Sequence, residues 1–241
     1  MAGVEIDDSA TTMSMTLFDK DWHTYSKVVA LNYMFHREVY AELRRLLLAE
    51  TPQSYSFLDL ACGDARATVD ATAGTPIASY RGVDLSQPAL SIAAKTLAAL
   101  DCRVTLEQRN FVEALANLHE TVDVIWIGQS LHHLDRAQKL AAMRDARRLC
   151  GQRGLFVIWE PTLLEREDRA AWLARFQSAC GPRWTLLEGQ EWDAMVEHIR
   201  ASDHPETVAG WHRLGEEAGF GRIRCIYTPP LQLNRVFCYQ A

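Results

Sequence analysis

Apolar and polar positions along this chain fall into alternating blocks. From Leu17 to about Glu50 the apolar residues recur at helical spacing, with a clear stripe from Val39 to Leu48, and Thr51-Pro52 ends the run. Beyond it, short apolar runs at 56–61, 79–85, 103–108, 121–128 and 154–160 are separated by helical patterns at 66–73, 88–99, 111–118 and 134–149. Strands alternating with helices of this length predict βαβ units and a parallel sheet with helices on both faces. Asp123-Val-Ile-Trp-Ile127 and Leu155-Phe-Val-Ile-Trp159 are apolar at both parities, as central parallel strands are.

The rhythm breaks at 162–219, where helices are expected near 163–179, 189–200 and 205–218 with no strand between them. Two more strands follow, Gly221 to Thr228 and Leu231 to Gln240, joined only by Pro229-Pro230. A link that short makes them antiparallel. The expected fold is therefore α/β: a Rossmann-like, seven-stranded, mostly parallel sheet with the last strand antiparallel, helices on both faces and a helical cap. Residues 1–241 read as a single domain, with 1–16 disordered or weakly held, 17–50 a helical flap and 162–219 the cap insert.

Composition narrows the class. The apolar fraction is 48%, the charged fraction 23% and the formal net charge −6, with acids and bases interspersed. No basic stripe stands out, so no nucleic-acid partner is expected. No run approaches the roughly 18 apolar residues of a spanning helix, so no membrane partner is expected either. The beginning of the sequence lacks the basic and apolar regions of a secretory signal. The six cysteines form no C-x-x-C pair and read as reduced thiols of a cytoplasmic protein. No Cys/His cluster has metal-ligand spacing, so no metal is expected.

Chemistry is concentrated at strand ends. The first strand closes as Phe57-Leu-Asp-Leu-Ala-Cys-Gly-Asp-Ala65, the second as Tyr80-Arg-Gly-Val-Asp-Leu-Ser86, and the third runs into Arg109-Asn-Phe111. The fourth leads into Gly128-Gln-Ser-Leu-His-His-Leu134, and the fifth ends Trp159-Glu-Pro161. With this strand order, the set resembles the class I S-adenosylmethionine-dependent methyltransferases, in motif detail over about 55–160 and in architecture through the final hairpin. The family's first corner carries a glycine where this chain has Ala65.

The resemblance implies a site. Small Ala61 and Gly63 would let the backbone touch the methionine and ribose parts of S-adenosylmethionine, and Asp59 would hold the turn and, through water, the ligand's amino group. Asp64 would add negative charge near the sulfonium. Asp84, about 20 residues past Gly63 and followed by Leu85, would take the ribose hydroxyls. Asn110 and Phe111 would meet the adenine, and Gln129 would present a backbone carbonyl to the methionine amino group. Tyr25 or Arg37 would hold the methionine carboxylate. Each acid or amide also has a plainer reading as a turn former or helix cap.

His132 and His133 lie where the transferred methyl would be, and either would line the substrate pocket or act as general base. Tyr33, His36, Arg37 and Tyr40 fall at i, i+3, i+4 and i+7 on the first helix, giving one aromatic-polar face, with Tyr33 and His36 expected on the substrate. Glu160 would bind the acceptor or pair with an arginine. Four of seven tryptophans, Trp172, Trp184, Trp192 and Trp211, sit in the insert, as in a cap over an apolar pocket or a helical layer packing on itself. The expected activity is methyl transfer to a small organic acceptor by in-line SN2 displacement. The alternatives are an RNA or protein acceptor, or an inactive cofactor-binding module, and a homodimer is left open. A nicotinamide oxidoreductase would need the G-x-G-x-x-G turn, which is missing. Without an N-P-P-Y or D-P-P-Y run after strand four, amino methylation of nucleobases by that route is not expected.

Overall fold

The computed structural model describes residues 24–51 and 53–241. The expectation for residues 1–16 and the start of the flap, including Trp22, lies outside them. A first helical segment, α1 (24–30), leads through a turn into α2 (His36–Glu50). Then come β1 (Tyr55–Leu60), α3 (Arg66–Thr72), β2 (Ile77–Asp84), α4 (Gln87–Thr96), β3 (Arg103–Gln108), α5 (Phe111–Asn117), β4 (Val124–Gly128) and α6 (Arg136–Cys150). The second half comprises β5 (Leu155–Leu163), α7 (Arg169–Cys180), α8 (Gly189–Ser202), β6 (Glu206–Thr207), α9 (Val208–Glu217), β7 (Arg222–Tyr227) and β8 (Asn234–Gln240).

The main sheet runs β3-β2-β1-β4-β5-β8-β7, with β8 antiparallel to both neighbours and the other pairings parallel. These seven strands match the sequence reading in count, order of types and hairpin. Chain order reverses between β1 and β4. Ligands of open α/β sheets bind beyond the strands' carboxyl ends at such a reversal.

Period-two alternation explains the doubly apolar strands. Along β4, Ile125 and Ile127 pack with Met143, Leu149, Trp211 and Leu214 on one face, while Val124 and Trp126 pack with Val39, Leu43, Ala93 and Leu97 on the other. A third core holds the cap together: Trp172, Phe176, Trp184 and Val196, closed from below by Val28 and Leu233.

The insert differs from its sequence reading in three respects. β5 continues to Leu163, so the first insert helix begins at Arg169. The two-residue β6 pairs with Thr162 and Leu163 where no strand was expected. Finally, α9 packs on the sheet, with Trp211 fully buried beside Leu214 and Phe237, so this tryptophan belongs to the sheet core and not to the cap. An amphipathic helix pattern does not say which of two apolar layers it will join.

Candidate functional site

The corner after β1 is built from backbone conformations that side chains disfavour. Ala61 (φ 55°) and Ala65 (φ 57°) are left-handed, as is Gly63 (φ 54°) between them. Across the reversal, Gln129 at the end of β4 is left-handed too (φ 56°). Such strain persists only where surrounding bonds over-determine it, and here they do. Gly63 N–H and Ser86 N–H each donate to the Asp84 carboxylate at 2.8 Å, tying the β1 and β2 corners together. Gln129 donates to the Trp159 carbonyl twice, from its backbone at 2.7 Å and from its side-chain amide at 3.1 Å.

These three strained non-glycine residues line one cleft of about 490 Å³. Of the residues expected to bind cofactor, Tyr25, Ala61, Gly63, Asp84, Leu85, Asn110, Phe111 and Gln129 all face it. Asp64 does as well, beside Arg66 at 3.4 Å. Burial raises the Asp84 carboxyl above its ordinary value, while the backbone amides it accepts oppose that shift. Asn110 uses its side-chain oxygen to cap α5, accepting from Val112 N–H at 2.8 Å.

Two expected cofactor residues are elsewhere. Asp59 shares its strand face with Phe57 and is buried beneath the corner, accepting from the Tyr80 hydroxyl at 2.7 Å; burial pushes it up to about 7. Arg37 is on the exposed side of α2, where its guanidinium donates to the Ala30 carbonyl at 3.2 Å. The helical face that linked Arg37 to Tyr33 does not form, because Asn32 (φ 56°) and Phe35 (φ 66°) break the chain between α1 and α2.

A second cavity of about 170 Å³ lies under the cap. Its walls are apolar, with Trp172, Phe176, Trp184, Met195 and Leu233 prominent, and Tyr33 stacks on Trp184 at 5.2 Å with 6° between the planes. Three residues line both cavities: Tyr25, Gln129 and His133. His36, expected on the substrate, instead faces the larger cleft, edge-on to Trp159 at 4.8 Å, and burial pulls its imidazole down to about 4.

The polar end of the apolar cavity holds His132, His133, His198 and Asp203. Glu160 lines neither cavity. It lies fully buried under the β4–α6 turn, where Ser130, Leu131 and His132 N–H groups donate to it at 3.2, 2.9 and 3.2 Å and His132 Nδ1 lies at 2.6 Å. Its carboxylate hydrogen bonds are all to that turn. Burial drives Glu160 up to about 8, while the three backbone amides it accepts oppose that shift. Burial also lowers both histidines of the pair well below the ordinary value and raises Asp203 well above it.

Asp203 and His198 had no local signal in the sequence. Both come from the end of α8, and the register is set by long-range bonds. His204 N–H donates to the His132 carbonyl at 2.8 Å, while the buried Lys139 of α6 bonds the His204 carbonyl and pairs with Glu206 at 2.8 Å. The sequence shows no metal-ligand spacing, yet the fold brings three groups of that kind together. Donor atoms of His132, His133 and Asp203 lie within 4.8 Å of one another, the one such group among the described residues.

A family model described as a methyltransferase domain matches residues 57–154. No curated protein matches the sequence significantly. Among solved structures, the chain is similar to the plantazolicin methyltransferase BpumL in complex with SAH, at 15% identity and a TM-score of 0.63, over 92% of this chain and 90% of that one. An O-methyltransferase family protein from Burkholderia thailandensis is similar at 17% identity and a TM-score of 0.62, over 87% of this chain but only 57% of that one. A SAM-dependent methyltransferase from Leishmania major matches at 16% identity and a TM-score of 0.57, over 85% and 72% of the two chains. The chain thus spans little more than half the length of the Burkholderia protein. Likeness at such identities speaks for the fold, and the matched segment is the one that builds the strained corner. Residues 57–154 match the methyltransferase-domain model, and they sit in a fold shared with solved S-adenosylmethionine-dependent methyltransferases.

Proposed function

We propose that the chain transfers the methyl group of S-adenosylmethionine, held in the larger cleft, to a small and largely apolar acceptor held under the cap. The observation that carries this reading is the meeting of the two cavities at Tyr25, Gln129 and His133. A donor carbon in one cavity and a nucleophile in the other would face each other there. In-line displacement at a sulfonium needs little covalent help: alignment at contact distance can supply about 7–11 kcal/mol of the barrier. An acceptor hydroxyl or ammonium must also lose a proton, and the histidine pair is the nearest group that can take it.

Asp84 is the best single probe of the cofactor half. Replacing it by alanine should weaken S-adenosylmethionine binding by roughly 1.5–3 kcal/mol, the loss of a hydrogen bond to a charged group, or about 10- to 150-fold. Calorimetry on a variant with an unchanged melting temperature would measure this. Undiminished affinity would remove Asp84 from the site.

The acceptor half is tested by release of S-adenosylhomocysteine with a panel of small phenols and aryl amines, set against bulk RNA and a denatured protein. The cavity's size and apolar walls favour turnover with a small compound, and Trp184→Ala should raise KM for it more than it lowers kcat. Transfer to RNA or protein alone would overturn this reading. Intact cofactor binding with no transfer to anything would favour an inactive binding module. No helix among the described residues is long and apolar enough to cross a membrane. The six cysteines are free thiols, which fits a cytoplasmic setting.

A further inference from the structure

At the polar end of the apolar cavity, two imidazole nitrogens and one carboxylate oxygen converge within 4.8 Å of one another. His132 Nδ1 lies 2.6 Å from Glu160 Oε2, and with the ring proton on that nitrogen the Nε2 is an acceptor; it lies 3.5 Å from Asp203 Oδ1. His133 Nδ1 lies 3.6 Å from the same oxygen, and neither of those two atoms has a hydrogen-bond partner although both are buried. Asp203 itself is only 4% exposed. Leaving such atoms unpaired is costly, and a cation among them removes the cost.

We propose that His132 Nε2, His133 Nδ1 and Asp203 Oδ1 bind a divalent transition-metal ion at the head of the acceptor cavity. Two imidazoles and one carboxylate are borderline donors suited to zinc, iron, cobalt or manganese, whereas magnesium and calcium take all-oxygen sets. Bonds of 2.0–2.2 Å place adjacent donors about 3–3.5 Å apart around such an ion. The two histidine–carboxylate separations are 3.5 and 3.6 Å, and the whole set lies within 4.8 Å, so the two rings would close slightly on the ion. Metal-bound imidazoles characteristically give their second nitrogen to a carboxylate or a backbone carbonyl. His132 has Glu160 in that place. Three protein ligands leave positions open to the cavity, where an acceptor hydroxyl bound to the ion would give up its proton more readily.

This inference stands on the three donor atoms and not on methyl transfer, so its test uses neither cofactor nor acceptor. The full chain, stripped by chelator and kept reduced, is titrated with cobalt(II) and followed by ligand-field absorption. Saturation at one equivalent is expected, without the charge-transfer bands that thiolate ligation by the free cysteines would add. Asp203→Asn should weaken binding by at least 100-fold and Glu160→Gln by about 10- to 100-fold, the usual loss for an outer-shell partner. Because the Asp203 Oδ1 has no hydrogen bond to lose, the asparagine variant should keep its melting temperature, and it decides the matter even where Glu160→Gln fails to fold. A folded wild-type chain that shows no saturable cobalt spectrum, or an Asp203→Asn variant that binds as well as wild type, would overturn the proposal. Methyl transfer by a chain that fails this test would leave the functional reading standing.

Discussion

Replacing Glu206 by alanine should destabilise the fold by roughly 3–5 kcal/mol, while replacing its partner Lys139 by methionine should cost far less. The asymmetry follows from burial. The Lys139 side chain is 0% exposed and that of Glu206 is 20% exposed, across an ion pair of 2.8 Å. Without Glu206, an ammonium is stranded in the interior, held only by the His204 carbonyl and the face of Trp211 at 5.3 Å. Without Lys139, the carboxylate that remains still reaches water, and a methionine in the vacated space packs well against an indole. Urea unfolding of the two variants gives the comparison directly. Equal losses would mean that the pair contributes through side-chain packing and not through its charge.

The same pair explains why part of the site was hidden in the sequence. The cofactor corner was legible because its residues are neighbours along the chain: Ala61, Gly63 and Ala65 lie within one turn, and Asp84 is fixed to Gly63 by the pairing of adjacent strands. Strand parity exposed the sheet equally well, since Ile125 and Ile127 must face one layer and Val124 and Trp126 the other. Asp203 obeys no such local rule. It reaches His133 only because Lys139, 67 residues before Glu206, anchors the segment that follows α8. Glu160 was recognisable as an acid at a strand end, but whether it faced the cavity or the turn depended on three backbone amides donated from residues 130–132. Arg37 lies outside the cleft for a different reason. A helical face was read across residues 31–35, where two left-handed residues, Asn32 and Phe35, turn the chain.

Replacing His133 by glutamine should lower turnover by about 10²- to 10⁴-fold, the usual loss on removing a group that handles a proton in the transition state, while S-adenosylmethionine affinity stays nearly constant. His133 alone of the histidine pair lines both cavities, so in the proposed arrangement it is the one nearer the transferred methyl. Its Nδ1 has no hydrogen bond, and glutamine keeps polarity and much of the volume, so stability should change little. The kcat–affinity split is what separates a chemical role from a structural one, because a collapsed cap would weaken acceptor binding and melting temperature together. Chelation of the wild-type chain then says how the proton leaves. If turnover survives chelator while His133→Gln is impaired, the imidazole takes the proton itself. If chelator reproduces the defect of the variant and cobalt(II) repairs the wild type alone, the ring acts as a ligand to the ion that activates the acceptor. Near-normal turnover by folded His133→Gln, with an acceptor that wild type methylates, would take His133 out of the chemistry under either account.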